Sequence, residues 1–315
     1  MKTVSLNRRI ATSMLTLPAA AALAAALWAA GGLSPERAGG AAAAALAVYL
    51  VAELNNRFAL VRVRSRMMSS TLALMWAVDA GSQAWSTAAL VPIGLLAATF
   101  LLFEGFGRPR EPGFIFHAVL VTSVTAFVFP PLLLFVPVQL WAAALHLQML
   151  SWRNFLAALC GLVVPWWLCG AWVFWHGTWP EALAAARAWL QTPAGLELGL
   201  TAWPPSEAAE GVLLFFAALA GAVHLRRTAN DDKIRPRAAL AALTTLWTAS
   251  VGLAVLWPAT AAWRVFVLFS SMLAGHGFAT TEGRMAGRWF GLCLTLAAAL
   301  AVAQLCGLWS IWPNF

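Results

Sequence analysis

The sequence predicts an all-α fold, a polytopic transmembrane helical bundle of about eleven spans, and three observations lead to this prediction. Of the 315 residues, 62% are hydrophobic and only 10% are charged, whereas a soluble globular domain has about a quarter of charged residues. The apolar runs are roughly 15–20 residues long, the length that a helix needs to cross the hydrocarbon core. The runs also lack the alternation of a membrane-barrel strand, which leaves helices as the spanning elements.

The apolar runs follow one another along the whole chain and predict a single transmembrane domain over residues 1–315, with ten to twelve spans as the range. The predicted spans are 12–31, 40–56, 67–81, 88–104, 113–129, 131–149, 155–176, 209–225, 238–257, 259–277 and 288–307. Pro130 and Pro131 make the fifth and sixth spans a tight hairpin, because proline cannot continue a helix.

The basic residues predict that the N-terminus is cytoplasmic. With that orientation, all of the 20 lysines and arginines face the inside except Arg37, Arg187 and Arg264. Cytoplasmic loops are enriched in basic residues, so the skew favours this orientation and a multi-pass protein of the bacterial inner (plasma) membrane. The net charge of +8 then reflects topology and contact with anionic headgroups. We therefore expect membrane lipids as partners and no nucleic acid.

The one sizeable predicted outer loop, 177–208, has the pattern of a short amphipathic helix. Trp179, Leu183, Ala186 and Leu190 fall on one face at helical spacing, and Pro180 suits a first helical position. We expect this helix to lie on the outer membrane surface.

The chain has 18 tryptophans and one tyrosine, and the predicted map places most tryptophans towards the outer side. Aromatic belts normally mark both interfaces, so the excess is either an asymmetric belt or an aromatic binding surface for a sugar ring or an isoprenoid chain. For the second interpretation, the candidate substrate-binding residues are Trp175, Trp179, Trp263 and Arg264.

Two ionisable residues fall near the outer ends of predicted spans, Asp79 in the third and Arg264 in the tenth. Charged groups inside spans are costly and usually pair or have a function. Three interpretations stay open: a structural ion pair, a site in which Arg264 holds a phosphate while Asp79 acts as a catalytic base, and two side chains that reach separately into the interface.

An inside loop carries Arg57, Arg62, Arg64 and Arg66. Arginines at a membrane surface attract lipid phosphate, so these four are candidates for docking a headgroup or a protein partner. Anchoring the topology of the chain is the alternative.

Four histidines, His117, His146, His224 and His276, map near the inner ends of spans. Imidazoles from several helices could ligate iron or zinc, but no pair has a recognised ligand spacing, and neither do the four cysteines. No metal site is therefore predicted, and the cofactor is unknown.

Three short segments resemble an uncharacterised family of polytopic bacterial inner-membrane proteins, some of which carry a carotene-oxygenase label. The segments are Glu53-Leu54-Asn55 with Arg62, Arg64 and Arg66; Ser151-Trp152-Arg153-Asn154-Phe155 with Gly161-Leu162-Val163-Val164-Pro165; and Ala274-Gly275-His276-Gly277-Phe278 with Arg284. The resemblance implies a many-helix membrane fold and no established activity, and no catalytic residue is carried over from it.

These observations favour a role in envelope biogenesis, either the handling of a lipid or lipid-linked glycan or service as the membrane subunit of a larger assembly with protein partners at its cytoplasmic loops. One alternative is a polyprenyl-phosphate-dependent membrane glycosyltransferase or polymerase that uses Asp79. Another is a histidine-metal isoprenoid oxygenase that uses His117 and His276. Whether the protein is an enzyme stays open at this point.

Overall fold

The computed structural model describes residues 5–32, 34–149, 151–191, 203–228 and 233–308. Within these ranges it has fourteen α-helices, two 3-10 turns (Thr87–Ala89 and Pro130–Leu134) and no β-strand, which confirms the all-α fold class. The helices are α1 (Leu6–Thr12), α2 (Thr16–Ala30), α3 (Pro35–Phe58), α4 (Met67–Val78), α5 (Ala80–Gln83), α6 (Leu90–Glu104), α7 (Gly113–Thr125), α8 (Phe135–Leu145), α9 (Trp152–Trp175), α10 (Trp179–Gln191), α11 (Pro205–Thr228), α12 (Ile234–Leu256), α13 (Thr260–Thr280) and α14 (Arg284–Leu305).

Six helices in the described part of the chain are long and apolar enough to cross a membrane, and there are seven if α1 and α2, which meet at 92°, form one bent span. Each of the eleven predicted segments contains a helix, but the helices of spanning length number fewer than eleven. The difference arises partly because apolar runs continue past the ends of helices. Helix α4 ends at Val78 and α7 ends at Thr125, so both are shorter than the runs that contain them.

Helix α13 forms the centre of the bundle. Every residue from Ala261 to Ala279 is buried, and the helix packs mainly against α4, α11 and α12. A helix enclosed by other helices contacts protein rather than lipid, so it can carry polar groups that a lipid-facing helix cannot. This position accounts for Arg264 and His276 within an apolar segment.

Two glycines allow neighbouring helices to approach α13 closely. A Cβ atom at Gly275 would lie 2.5 Å from the Cα atom of Met68 on α4, and one at Gly277 would lie 2.7 Å from the Cα atom of Gly221 on α11. Small residues at such contacts let the backbones of membrane helices meet. Both glycines belong to the third segment of the family resemblance, which therefore has a packing role here.

The second resembling segment positions α9 against α7. Ser151 caps α9, because its Oγ atom accepts a hydrogen bond of 3.3 Å from the backbone N–H of Asn154, and the same hydroxyl donates to the carbonyl of Pro109 at 2.8 Å. A Cβ atom at Gly161 would lie 2.5 Å from the carbonyl oxygen of Phe116 on α7. The segment thus fixes the start of α9 and its closest approach to α7.

Helices α9 and α14 lie at the periphery, since only 17% and 11% of the residues in their spanning windows are buried. Large apolar side chains such as Trp167, Phe174 and Val302 are exposed on them. Exposed apolar faces of this size on helices of spanning length are suited to contact with lipid chains.

Candidate functional site

The connection between α4 and α6 is irregular, and Asp79, which begins it, is buried. Helix α4 stops at Val78, and Asp79 has an extended backbone. Its Oδ1 atom accepts a hydrogen bond of 2.9 Å from the N–H of Gly81 and so caps the single turn of α5. The side-chain amide of Gln83 returns to donate to the carbonyl of Ala77 at 2.8 Å. These bonds satisfy backbone groups that the break in the helix would leave without partners.

Trp263 of α13 contacts Asp79 directly. Its Nε1–H donates a hydrogen bond of 3.0 Å to Oδ2 of Asp79, and both side chains are buried. The indole ring lies 5.1 Å from the ring of Trp203 and 5.5 Å from that of Phe266. Of the three tryptophans singled out in the sequence, Trp263 therefore belongs to the Asp79 site.

Arg264 holds the same connection from the next position of α13. Its Nη2 donates to the carbonyls of Ser82 and Ala84, and its Nη1 donates to the hydroxyl of Ser86, each at 3.0 Å. The side chain is 1% exposed. No ion pair between Arg264 and Asp79 is found among the described residues. Because the guanidinium makes three hydrogen bonds to the α4–α6 connection, the geometry favours a structural role for Arg264 over the binding of a substrate phosphate.

Two carboxyl groups that sequence reasoning missed complete this site. Glu207 and Glu210 lie one turn apart on α11, and Glu210 is 1% exposed. Glu207 and Asp79 both lie beside Gly81. A Cβ atom added to Gly81 would be 2.9 Å from Oε1 of Glu207 and 3.3 Å from Oδ1 of Asp79. Their spacing of three residues, which puts both on one helix face, was the available signal. The predicted span began at residue 209 and so left Glu207 in the loop.

A small cavity of about 10 Å³ lies among these groups, with a lining of Val78, Asp79, Ser206, Glu210, Leu300 and Gln304. It is about large enough for one water molecule. The Oε1 atom of Glu210 has no hydrogen-bond partner in the described chain. Burying a carboxylate without a partner is costly, so the cluster places a strong electrostatic demand on the fold. No group of three His, Cys, Asp or Glu residues with metal-binding geometry is found among the described residues.

The other two candidate tryptophans lie apart from this cluster. Trp175 at the end of α9 is 85% exposed, and Trp179 at the start of α10 is 54% exposed. The predicted helix of the 177–208 loop is present as α10. The side chains of Ala186 and Leu190, which were expected on its apolar face, lie outside the described residues.

The arginines of the inside loop have different surroundings. Arg57 forms an ion pair with Glu104 and lies over the ring of Phe100, and Arg57, Arg62, Arg64 and Arg66 are all exposed. Glu104 is also 3.4 Å from Arg235. All four arginines therefore lie on the surface of the protein, where a headgroup or partner could contact them, and Arg57 is also paired with Glu104.

Asn55, from the first resembling segment, shapes the loop that carries these arginines. Its Nδ2 donates to the carbonyl of Ser65 at 3.0 Å, and its Oδ1 accepts from the N–H of Val61 at 3.1 Å. The side chain is buried. One amide thus ties both ends of the loop together.

The histidines are not gathered into one centre. His117 is exposed on α7 and contacts the carbonyl of Gly113, while His146 at the end of α8 contacts Thr245 of α12. His276 is buried within α13. These surroundings differ from one another, and none has the form of a metal site in the described residues.

An apolar groove of about 490 Å³, called the α2–α14 groove below, lies between helices of the bundle. Its walls come from α2, α4, α11 and α14, and representative lining residues are Leu23, Met75, Leu213 and Ala297. Its polar lining residues come from the corner between α1 and α2 and from the first turn of α4. They are Arg9, Ser13, Thr16, Ser70 and Thr71. The groove is therefore apolar over most of its wall and has one arginine at its α1 end.

Comparisons with known proteins give no relative for this chain: no family model, no curated protein and no solved structure matches it.

Proposed function

We propose that this protein is a multi-pass protein of the bacterial inner membrane that binds and handles a lipid or a lipid-linked glycan in envelope biogenesis. The observation that carries the proposal is the α2–α14 groove, which combines an apolar wall with Arg9 and four hydroxyl groups. A long acyl or isoprenoid chain suits the wall, because sites for apolar ligands are lined mainly by apolar side chains. An anionic headgroup suits the arginine.

The proposed topology has eleven membrane segments with the N-terminus in the cytoplasm. The positive-inside distribution supports it; six or seven of the described helices are long and apolar enough to cross a membrane. In this orientation Arg9 faces the inner leaflet. The exposed arginines Arg62, Arg64 and Arg66 face the same side, where protein partners would make the chain the membrane subunit of a larger assembly.

The test is native mass spectrometry of the protein extracted gently with its own lipids, with lipid analysis and metal analysis of the same sample. We expect a bound lipid at a defined ratio to protein. Ala297→Phe fills the groove from α14 and should lower the bound lipid several-fold. Ala298→Phe is the matched control, because Ala298 is exposed and does not line the groove. Arg9→Gln should lower the bound fraction of anionic lipid.

Equal lipid retention by the two phenylalanine variants would refute the assignment of the groove. A wild-type protein that is free of lipid and bound to other chains would instead support the assembly subunit. Stoichiometric iron would support the oxygenase alternative.

The positions of the candidate catalytic residues give less support to the two enzymatic alternatives than the groove gives to lipid binding. The glycosyltransferase depends on Asp79, which is 6% exposed and already accepts bonds from Trp263 and Gly81. The oxygenase depends on His117 and His276, of which one is exposed on α7 and the other is buried on α13. Lipid binding is therefore the function we propose.

A further inference from the structure

A polar pocket of about 190 Å³ lies between α8, α11 and α12, away from the α2–α14 groove. Its polar lining is formed by His146, Arg226, Arg237, Thr244, Thr245 and Thr248. The arginines come from the last turn of α11 and the first turn of α12, and His146 follows the last residue of α8. Three helix ends thus bring two guanidinium groups and an imidazole to one cavity.

Thr245 contacts His146 in this pocket. The hydroxyl oxygen of Thr245 lies 3.0 Å from Nε2 of His146 and 3.2 Å from the carbonyl oxygen of Ala241. Thr244 and Thr248 donate to backbone carbonyls of their own helix. The charged donors that the pocket offers to a ligand are those of Arg226 and Arg237.

The charge of the pocket favours an anion. No acidic side chain lines it, and no ion pair to Arg226 or Arg237 is found in the described part of the chain. The nearby Arg235, by contrast, pairs with Glu104. Guanidinium groups bind phosphate oxygens with paired, charge-assisted hydrogen bonds. Asp231 and Asp232 stand between the two arginines in the sequence and lie outside the described residues.

The pocket continues into an apolar groove. Thr245 and Thr248 also line a neighbouring cavity of about 480 Å³, whose other walls are Pro137, Val138, Trp141 and Ala249. Trp141 is 60% exposed along this groove. A cationic pocket joined to an apolar groove matches the two parts of a lipid molecule, whereas a free phosphate would use only the first part.

We propose that the pocket formed by His146, Arg226 and Arg237 binds the phosphate headgroup of a lipid, and that the chain of this lipid lies along the groove beside Trp141. The assignment is independent of the α2–α14 groove and of the function proposed for it. It adds a second lipid site, with phosphate as the recognised group.

The test uses the full chain, freed of lipid and held in a neutral detergent, with three probes: dioctanoyl phosphatidic acid, dioctanoyl phosphatidylcholine and inorganic phosphate. Affinity is measured by native mass spectrometry and by thermal shift. We expect phosphatidic acid to bind more tightly than either other probe. Arg237→Gln should weaken its binding by about tenfold, since each charge-assisted hydrogen bond contributes about that factor.

Two further variants separate headgroup from chain. Arg227→Gln is the matched control, because Arg227 is exposed in the same turn as Arg226 but does not line the pocket, and its affinity should equal that of the wild type. Trp141→Ala should weaken the binding of phosphatidic acid and leave the affinity for inorganic phosphate unchanged. Equal affinities of Arg237→Gln and the wild type would overturn the proposal. So would phosphate binding as tight as that of phosphatidic acid, which would indicate a site for a free anion. If Ala297→Phe and Ala298→Phe retain equal amounts of co-purified lipid while the wild type binds phosphatidic acid as expected, only the function proposed above is overturned.

Discussion

The indole of Trp263 and the carboxylate of Asp79 share a buried hydrogen bond of 3.0 Å across 184 positions of sequence. The next residue, Arg264, bonds to Ser82, Ala84 and Ser86 in the segment that follows Asp79. Two consecutive residues of the central helix therefore secure the whole break between α4 and α6. Such a break is stable in a bundle only when its backbone groups find partners within the protein.

Replacing Trp263 with phenylalanine tests the contribution of this bond. The variant keeps an aromatic ring but leaves Oδ2 of Asp79 without its donor, so we expect a loss of about 1.5–3 kcal/mol in the free energy of unfolding. Thermal unfolding in detergent gives the measurement. The control is Trp172→Phe, because Trp172 is 67% exposed on α9. Unfolding of both variants at the wild-type temperature would show that the bond adds nothing to stability.

Glu210→Gln tests whether the buried carboxyl group of α11 destabilises the folded protein. Glu210 is 1% exposed, and its Oε1 has no partner among the described residues. An amide of nearly the same shape stays neutral and avoids the cost of burying a charged carboxylate, so we expect the unfolding temperature to stay equal or to rise. Glu181→Gln, at an exposed position of α10, is the control. A marked fall for Glu210→Gln alone would mean that the carboxylate has a ligand or partner that stabilises it.

Asp79 and Arg264 could be singled out from the sequence, because each is a charged residue within a predicted apolar span. It did not allow their partners to be predicted. Arg264 bonds chiefly to backbone carbonyls, which every residue carries, and these carbonyls are available only because α4 ends at Val78. Trp263 was a candidate for a binding surface, and its actual contact with Asp79 depends on how α13 packs against that break.

The number of spanning helices shows a similar limit. Hydropathy marked eleven segments that contain helices, but the length of an apolar run does not show whether its helix faces lipid or is enclosed by protein. Helix α13 is buried along its length, whereas α9 and α14 are mostly exposed. All three lie in predicted spans of similar length, 155–176, 259–277 and 288–307, but only α9 and α14 are among the helices long and apolar enough to cross a membrane.

Gly275→Ala tests the close contact between α13 and α4. An added Cβ would lie 2.5 Å from the Cα atom of Met68, so the two helices must separate, and we expect a loss of at least about 1–3 kcal/mol in stability. Gly252→Ala on α12 is a matched control, because nothing lies within 4 Å of its added Cβ. It should be neutral or stabilising, since alanine favours the helix over glycine. Equal unfolding temperatures for the two variants would contradict the tight α4–α13 contact.

Asn55→Ala tests both the loop that carries Arg62, Arg64 and Arg66 and the side of the membrane on which it lies. The buried amide holds Val61 and Ser65, so its removal should free the loop.

Trypsin should then cleave after these exposed arginines several-fold faster in the variant than in the wild type. Asn56→Ala, next to it and exposed, should leave the rate unchanged, which makes the comparison independent of general unfolding. Run on inside-out vesicles and on intact spheroplasts, the same digestion reports orientation. Cleavage confined to inside-out vesicles is expected for a cytoplasmic N-terminus, because an even number of proposed segments, 12–31 and 40–56, separates the two. Cleavage confined to spheroplasts would reverse the proposed topology and would move Arg9 to the outer leaflet.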